Sequence, residues 1–173
     1  MKAAIFHGPG GSWPQKPMTI EEIPTPKPGP GEVLVKIAAC GVCGTDLEYL
    51  KVKGTTPKSP PLILGHEPSG IVAETGPGVT NLKTGDRVLV ATAAPCLACD
   101  SCLEGRENLC PSMVLVGANR DGAFAEYMVA PASGTFPLPA GLPLEESAII
   151  TDAVATSHRA IYDRAQIKAN DTV

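Results

Sequence analysis

The sequence predicts a mainly β protein, a barrel or sandwich of short strands with peripheral helices. Two observations carry that prediction. Glycine and proline each occur 18 times, spread along the chain without a repeat or a low-complexity block. Between them lie short β-branched runs bounded by turn signals, the pattern of many short strands. A third observation places the helix: Leu144 to Ala165 contains neither glycine nor proline and is rich in alanine.

Taken in order, Ala3–Phe6 and Met18–Ile23 are the first two predicted strands. Pro24–Gly31 carries proline at every second position and can be neither helix nor central strand, so it is a surface connection. Glu32–Ile37, Gly70–Ala73 and Arg87–Ala91 follow as strands, and Ala123–Val129 is a further candidate. Pro143 then suits the first position of a helix, and Glu145 and Glu146 suit its positive end, so one or two helices are expected over about 144–164. Asn170–Val173 reads as a turn entering another strand. No G-x-G-x-x-G phosphate loop occurs anywhere in the chain.

Bulk properties narrow the function. Over 173 residues, 43% hydrophobic content supports one domain with a real core, and 18% charged content argues against a disordered tail. A net charge of −4, with no basic run and few aromatics, argues against nucleic-acid binding. No apolar run approaches the roughly 18 residues of a membrane span. The first apolar run is broken by Gly8-Pro-Gly-Gly11 too early for a signal peptide. A reducing cytoplasmic location is therefore expected, where clustered cysteines are more often metal ligands or reactive thiols than disulfides.

Four of the six cysteines, Cys96, Cys99, Cys102 and Cys110, fall within fifteen residues at C-x2-C-x2-C-x7-C spacing. Disulfides, a redox switch and a metal clamp are the competing readings. The spacing favours the clamp: short C-x2-C steps let the backbone curl so that successive thiolates face one centre, and the longer gap returns a fourth. Four thiolates fill a tetrahedral sphere, so such a zinc site is structural. Two further motifs stand apart, Cys40-Gly-Val-Cys43-Gly-Thr45-Asp46 and Gly65-His66-Glu67. Singly, each has an ordinary reading: a packed cysteine, a hydrogen-bonded histidine.

Together with the proline-rich Pro24–Gly31 segment, Gly65-His-Glu-Pro-Ser-Gly-Ile-Val72, Gly85-Asp-Arg-Val88 and the four-cysteine loop, they form an ordered set. In these motifs the chain resembles the N-terminal catalytic domain of the zinc-dependent medium-chain dehydrogenases of the alcohol dehydrogenase type, over essentially its whole length. The resemblance implies a GroES-like β-barrel over 1–150, with a structural-zinc lobe at about 92–113. Residues 151–173 become a helical linker and the start of a nucleotide-binding Rossmann domain that lies beyond Val173.

The resemblance also implies roles. Cys43 and His66 match the first two ligands of a catalytic zinc. The third is Cys or Asp in the helical segment, where no cysteine is available and Asp152 is the matching residue. Its Ile-Ile and Ala-Val neighbours make an unpaired carboxylate there costly, which favours a metal partner. Glu67 matches a carboxylate beside the ligands that approaches the zinc during exchange. Asp46 matches the group that orients His66. Thr45 matches the hydroxyl that hydrogen-bonds the substrate oxygen. One position departs from the pattern: many relatives carry a proton-relaying histidine five residues after the catalytic cysteine, where this chain has Glu48. Cys40 reads as packed, and His7 and His158 receive no role.

The implied activity is oxidation of an alcohol to a carbonyl, with hydride passing to NAD or NADP. Two zinc ions per chain are expected, a small-molecule alcohol or carbonyl as substrate, and a homo-oligomer in the full-length protein. With the nucleotide-binding half missing, the chain alone is expected to bind zinc and turn over nothing. A non-enzymatic zinc-binding module on the same barrel, and a thiol redox protein, are the alternatives.

Overall fold

The computed structural model describes residues 1–9, 17–51 and 55–172. It is mainly β, with short peripheral helices. Strands β1 (Lys2–Phe6), β2 (Met18–Glu22) and β4 (Leu62–Ile63) form an antiparallel sheet in the order β2-β1-β4. A five-stranded antiparallel sheet runs β10-β6-β5-β3-β9, from β3 (Glu32–Gly41), β5 (Glu67–Thr75), β6 (Arg87–Val90), β9 (Tyr127–Pro131) and β10 (Thr135–Pro137).

Two features curl these sheets into one wall. Strand β3 carries register irregularities against β5 at Leu34/Val35 and Ile37/Ala39, and extra residues of this kind bend and twist a strand. The segment before β9 then stitches the sheets together. The Phe124 carbonyl accepts from Ala4 N–H, Glu126 N–H donates to the Lys2 carbonyl, and the Glu126 carbonyl accepts from Ile37 N–H. The expected strand Ala123–Val129 is corrected accordingly. Its first half bonds to β1, β3 and the β4 region one residue at a time, and regular pairing begins only at Tyr127.

Inside the wall, alternate residues meet as the period of a strand requires. Val33 and Val35 of β3, Val72 of β5, Val88 and Val90 of β6, and Met128 and Ala130 of β9 share one buried core. In register, Val35 faces Val72 on one side and Met128 on the other. A 3-10 segment, Glu146–Thr151, packs across β3, β5 and β6. Its cover explains why β5 is buried at four successive residues, Glu67 to Gly70.

The helical region departs from the expectation of one or two helices over 144–164. It is the 3-10 segment, then α3 (Ala153–His158), then a π-helical turn, Arg159–Arg164. Helix α1 (Gly44–Leu50) and the short strands β4, β7 (Ala93–Ala94), β8 (Val114–Leu115) and β10 had no sequence counterpart. The turn expected at 170 is present, while Val173, expected to open a strand, lies outside the described residues. Among the described residues, no helix is long and apolar enough to cross a membrane.

Candidate metal centres

The four-cysteine loop projects from a neck. Strands β7 and β8 pair antiparallel, Ala93 with Leu115 and Ala94 with Val114, and close the loop at its base. Cys99 caps a one-turn helix, α2 (Asp100–Leu103), which carries Cys102, and a 3-10 turn, Glu107–Leu109, delivers Cys110. Leu103 and Leu109 lie exposed. Between Cys96 and Cys110 the only buried residues are Cys102 and Cys110, so the lobe has no apolar core of its own. What lies at its centre is sulfur.

All six cysteines are free thiols. The Cys99 and Cys102 sulfurs are 3.4 Å apart and those of Cys96 and Cys102 are 4.0 Å apart. A disulfide needs about 2.05 Å. Four sulfurs placed 2.3 Å from a tetrahedral centre lie about 3.8 Å from one another. All four sulfurs fall within 4.8 Å of each other, so the donor set fits a tetrahedral thiophilic ion. Backbone N–H groups of Ala98 and Cys99 pull the Cys96 thiol down to about 6, while burial first and its sulfur neighbours second push Cys102 up to about 12. Crowded thiols without a cation cannot all ionise, whereas a bound ion removes that conflict.

The second cluster is assembled from three distant parts of the chain. Cys43, His66, Glu67 and Asp152 each offer a ligand atom within 4.8 Å of the others. Cys43 caps α1 where β3 ends. Asp46, three residues on, is fully buried, and its Oδ2 accepts the Cys43 N–H at 3.0 Å. Its Oδ1 accepts the Gly65 N–H at 3.1 Å and faces His66 Nδ1 at 3.5 Å. One carboxylate therefore ties the Cys43 turn to the His66 turn. The expectation that Asp46 orients His66 has its geometry here: Nδ1 is turned to the carboxylate and Nε2 to the cluster, the arrangement typical of a metal-binding histidine. Hydrogen bonding to Asp46 outweighs burial, which acts the other way, and Cys43 adds to it, so His66 rises to about 9.

Gly65 makes the turn into β5. Its φ is +90°, and a Cβ there would lie 2.6 Å from the Phe124 ring, so a side chain would meet both backbone strain and a rigid wall. This bend sends His66 and Glu67 inward, both buried.

Asp152 enters from the other side, where the 3-10 segment ends. Its Oδ2 lies 3.8 Å from Cys43 Sγ and 3.4 Å from His66 Nε2. For ligand distances of 2.3 Å to sulfur and about 2.1 Å to nitrogen and oxygen, tetrahedral S···O and N···O edges are about 3.6 and 3.4 Å. Both Asp152 edges thus stand at zinc-ligand spacing, and the Cys43 and His66 ligand atoms lie within 4.8 Å of each other. The route to that position differs from the sequence expectation. Ile149 and Val154 are exposed, so apolar surroundings do not force the carboxylate inward. Thr156 aims it instead, donating from Oγ1 to Asp152 Oδ1 at 2.7 Å one helical turn later. Thr92 adds a tie, donating from Oγ1 to the His66 carbonyl at 3.1 Å. Sequence reasoning missed both threonines. The i, i+4 spacing of Asp152 and Thr156 was the one available signal.

Thr45 is exposed beside the cluster, its Oγ1 3.7 Å from Cys43 Sγ. Glu48 points away and is ion-paired with Lys51 on the exposed face of α1. Cys40 packs partly against the core, and burial pushes its thiol up to about 12. His7 bonds to Thr19 and Glu21, and His158 stacks near Tyr162, both outside the two clusters.

Known proteins match this architecture. The alcohol dehydrogenase GroES-like domain matches residues 29–140. The chain is 45% identical over 150 residues to an alcohol dehydrogenase of Geobacillus stearothermophilus, covering 85% of this chain and 44% of that one. It is 40% identical over 148 residues to an L-threonine 3-dehydrogenase of Xanthomonas campestris, covering 84% and 44%. A cobalt- and zinc-bound thermostable alcohol dehydrogenase from Pyrobaculum aerophilum superposes with a TM-score of 0.85 at 35% identity, over 99% of this chain and 50% of that one. The chain thus spans less than half the length of these curated relatives. With the domain match covering well over half of its residues, the chain belongs to the medium-chain alcohol dehydrogenase family, in its GroES-like domain.

Proposed function

We propose that the chain is the zinc- and substrate-binding domain of a zinc-dependent alcohol dehydrogenase, one that oxidises an alcohol to a carbonyl with hydride passing to NAD or NADP. The observation that carries this is the convergence of Cys43, His66 and Asp152 at tetrahedral spacing. Three such ligands leave one position open, as catalytic zinc sites do. When bound there, the ion supplies a Lewis acid that makes an alcohol hydroxyl easier to deprotonate.

The chain's own residues do the rest. Asp46 fixes the His66 ring with Nε2 toward the cluster. Thr45, exposed and next to Cys43, accepts the alcohol's proton on Oγ1 as it gives its own hydroxyl proton to water. Glu67 keeps a carboxylate beside the ligands for exchange. The four-cysteine lobe holds a second, closed zinc whose role is structural. Residues 1–150 form the catalytic domain, and 151–173 lead into a nucleotide-binding domain in a longer, cytoplasmic and oligomeric protein; the greater length of the relatives supports that reading.

The test is zinc per chain by elemental analysis, on wild type and on Cys43→Ala. Two zinc ions falling to one are expected. One zinc, unchanged by the substitution, would remove the catalytic centre from this reading.

A further inference from the structure

Gly41 and Glu67 are directly paired across β3 and β5, at the end of the ladder where the second cluster begins. A Cβ built on Gly41 would lie 1.9 Å from Glu67 Oε2, 3.0 Å from its carboxyl carbon and 3.1 Å from its Cβ. The Glu67 carboxylate therefore occupies the space a side chain at 41 would fill. That slot is also where Glu67 keeps an oxygen within 4.8 Å of the Cys43, His66 and Asp152 ligand atoms. The three nearest atoms that a Cβ at position 41 would meet all belong to the Glu67 side chain.

We propose that Gly41 is a positioning residue for the second metal centre, because its missing side chain is the slot that holds the Glu67 carboxylate against the ligand set. The inference rests on the metal-centre reading above and adds to it a residue that touches neither metal nor substrate. Its physical content is specific. The atom in closest conflict is the end of a flexible side chain, so Gly41→Ala moves the Glu67 carboxylate rather than the backbone. A purely structural glycine would behave differently, since its substitution would act through the fold and be indifferent to Glu67.

A double-mutant cycle separates the two. Gly41→Ala, Glu67→Ala and the double variant are prepared with the four-cysteine lobe loaded with zinc. Co²⁺ is then titrated into the second site and followed by its visible absorption. Urea unfolding of each variant reports the fold separately. Displacing a carboxylate that supports a metal site typically costs 10–100-fold in affinity. Gly41→Ala is expected to weaken Co²⁺ binding by about that range and to alter the cobalt spectrum, with the urea midpoint little changed. In the Glu67→Ala background the same substitution is expected to have no further effect. Unchanged affinity and spectrum in Gly41→Ala would overturn the inference alone. So would a loss that adds in full to that of Glu67→Ala. A wild-type chain that takes up no cobalt at the second site would overturn the metal-centre reading, and this inference with it.

Discussion

Asp46→Asn is the substitution that probes the second centre most directly. Asp46 is buried and its two oxygens face three donors, the N–H groups of Cys43 and Gly65 and the Nδ1 of His66. An asparagine offers one acceptor oxygen and adds an NH2 group, so at least one donor is stranded, at about 1–3 kcal/mol. A second loss depends on pH. His66 stands at about 9 in the folded chain against 6.5 unfolded. The folded state therefore binds that proton more tightly. The resulting stabilisation is complete below pH 6.5 and fades as pH rises through 9. Its size is about 3 kcal/mol at 1.36 kcal/mol per unit. Asp46 is the largest cause, so Asn should remove most of it. The assay keeps Cys43, which also raises His66, and empties the second site with a chelator before the measurement. Urea unfolding of the unsubstituted chain and Asp46→Asn at pH 6 and 9.5, with the His66 ring followed by NMR, reads both terms. The expected penalty of Asp46→Asn is about 4–6 kcal/mol at pH 6 and about 1–3 at pH 9.5. A His66 that titrates at or below 6.5 with Asp46 in place would refute the reasoning, as would equal penalties at the two pH values.

Three other substitutions separate the parts of the structure. Thr156→Val removes the donor that aims Asp152 and should weaken metal binding at the second site about 3–10-fold, read by competition with a chelating dye. Cys110→Ser should lose the lobe zinc, keep the second ion, and open the 96–110 segment to limited proteolysis, because the lobe has no apolar core to replace the metal. Gly65→Ala should destabilise the whole chain by about 2–5 kcal/mol in urea, from its positive φ and the Phe124 ring together.

How much of this was legible depends on what kind of signal each feature leaves. The β-branched runs at 3–6, 18–23, 32–37 and 87–91 became strands within a few residues of their expected ends, because several consecutive residues contribute to each pattern. Strands β4, β7 and β8, two residues each, are too short to show a period, and β10 has only three. Helix α1 was hidden for another reason. Its cap is Cys43, outside the usual capping residues, although Asp46 reaches back to the cap N–H as a capping-box residue does. The cysteine cluster was readable because all four of its sulfurs are local. Asp46 and Glu67 could be placed by resemblance, but an acidic residue is ordinarily exposed, and nothing in composition marks these two as buried. The Gly41 slot depends on a cross-strand register that only the fold supplies.

That contrast between local and distant ligands has an energetic consequence. The lobe's four sulfurs lie within fifteen residues, so an unfolded chain can still gather them round an ion. Zinc bound there would bind both states, and its contribution to global stability would be reduced to the difference between the two affinities. Cys43 and Asp152 are 109 residues apart, and His66 must be turned by Asp46 before Nε2 faces them. An unfolded chain offers no such site, so an ion at the second centre acts on the native state alone, adding about 4 kcal/mol when present at a thousand times its dissociation constant. An ion held by the lobe would therefore be a weak reporter of the fold. An ion held by Cys43, His66 and Asp152 would instead couple the end of β3, the Gly65 turn and the 3-10 segment into one unit.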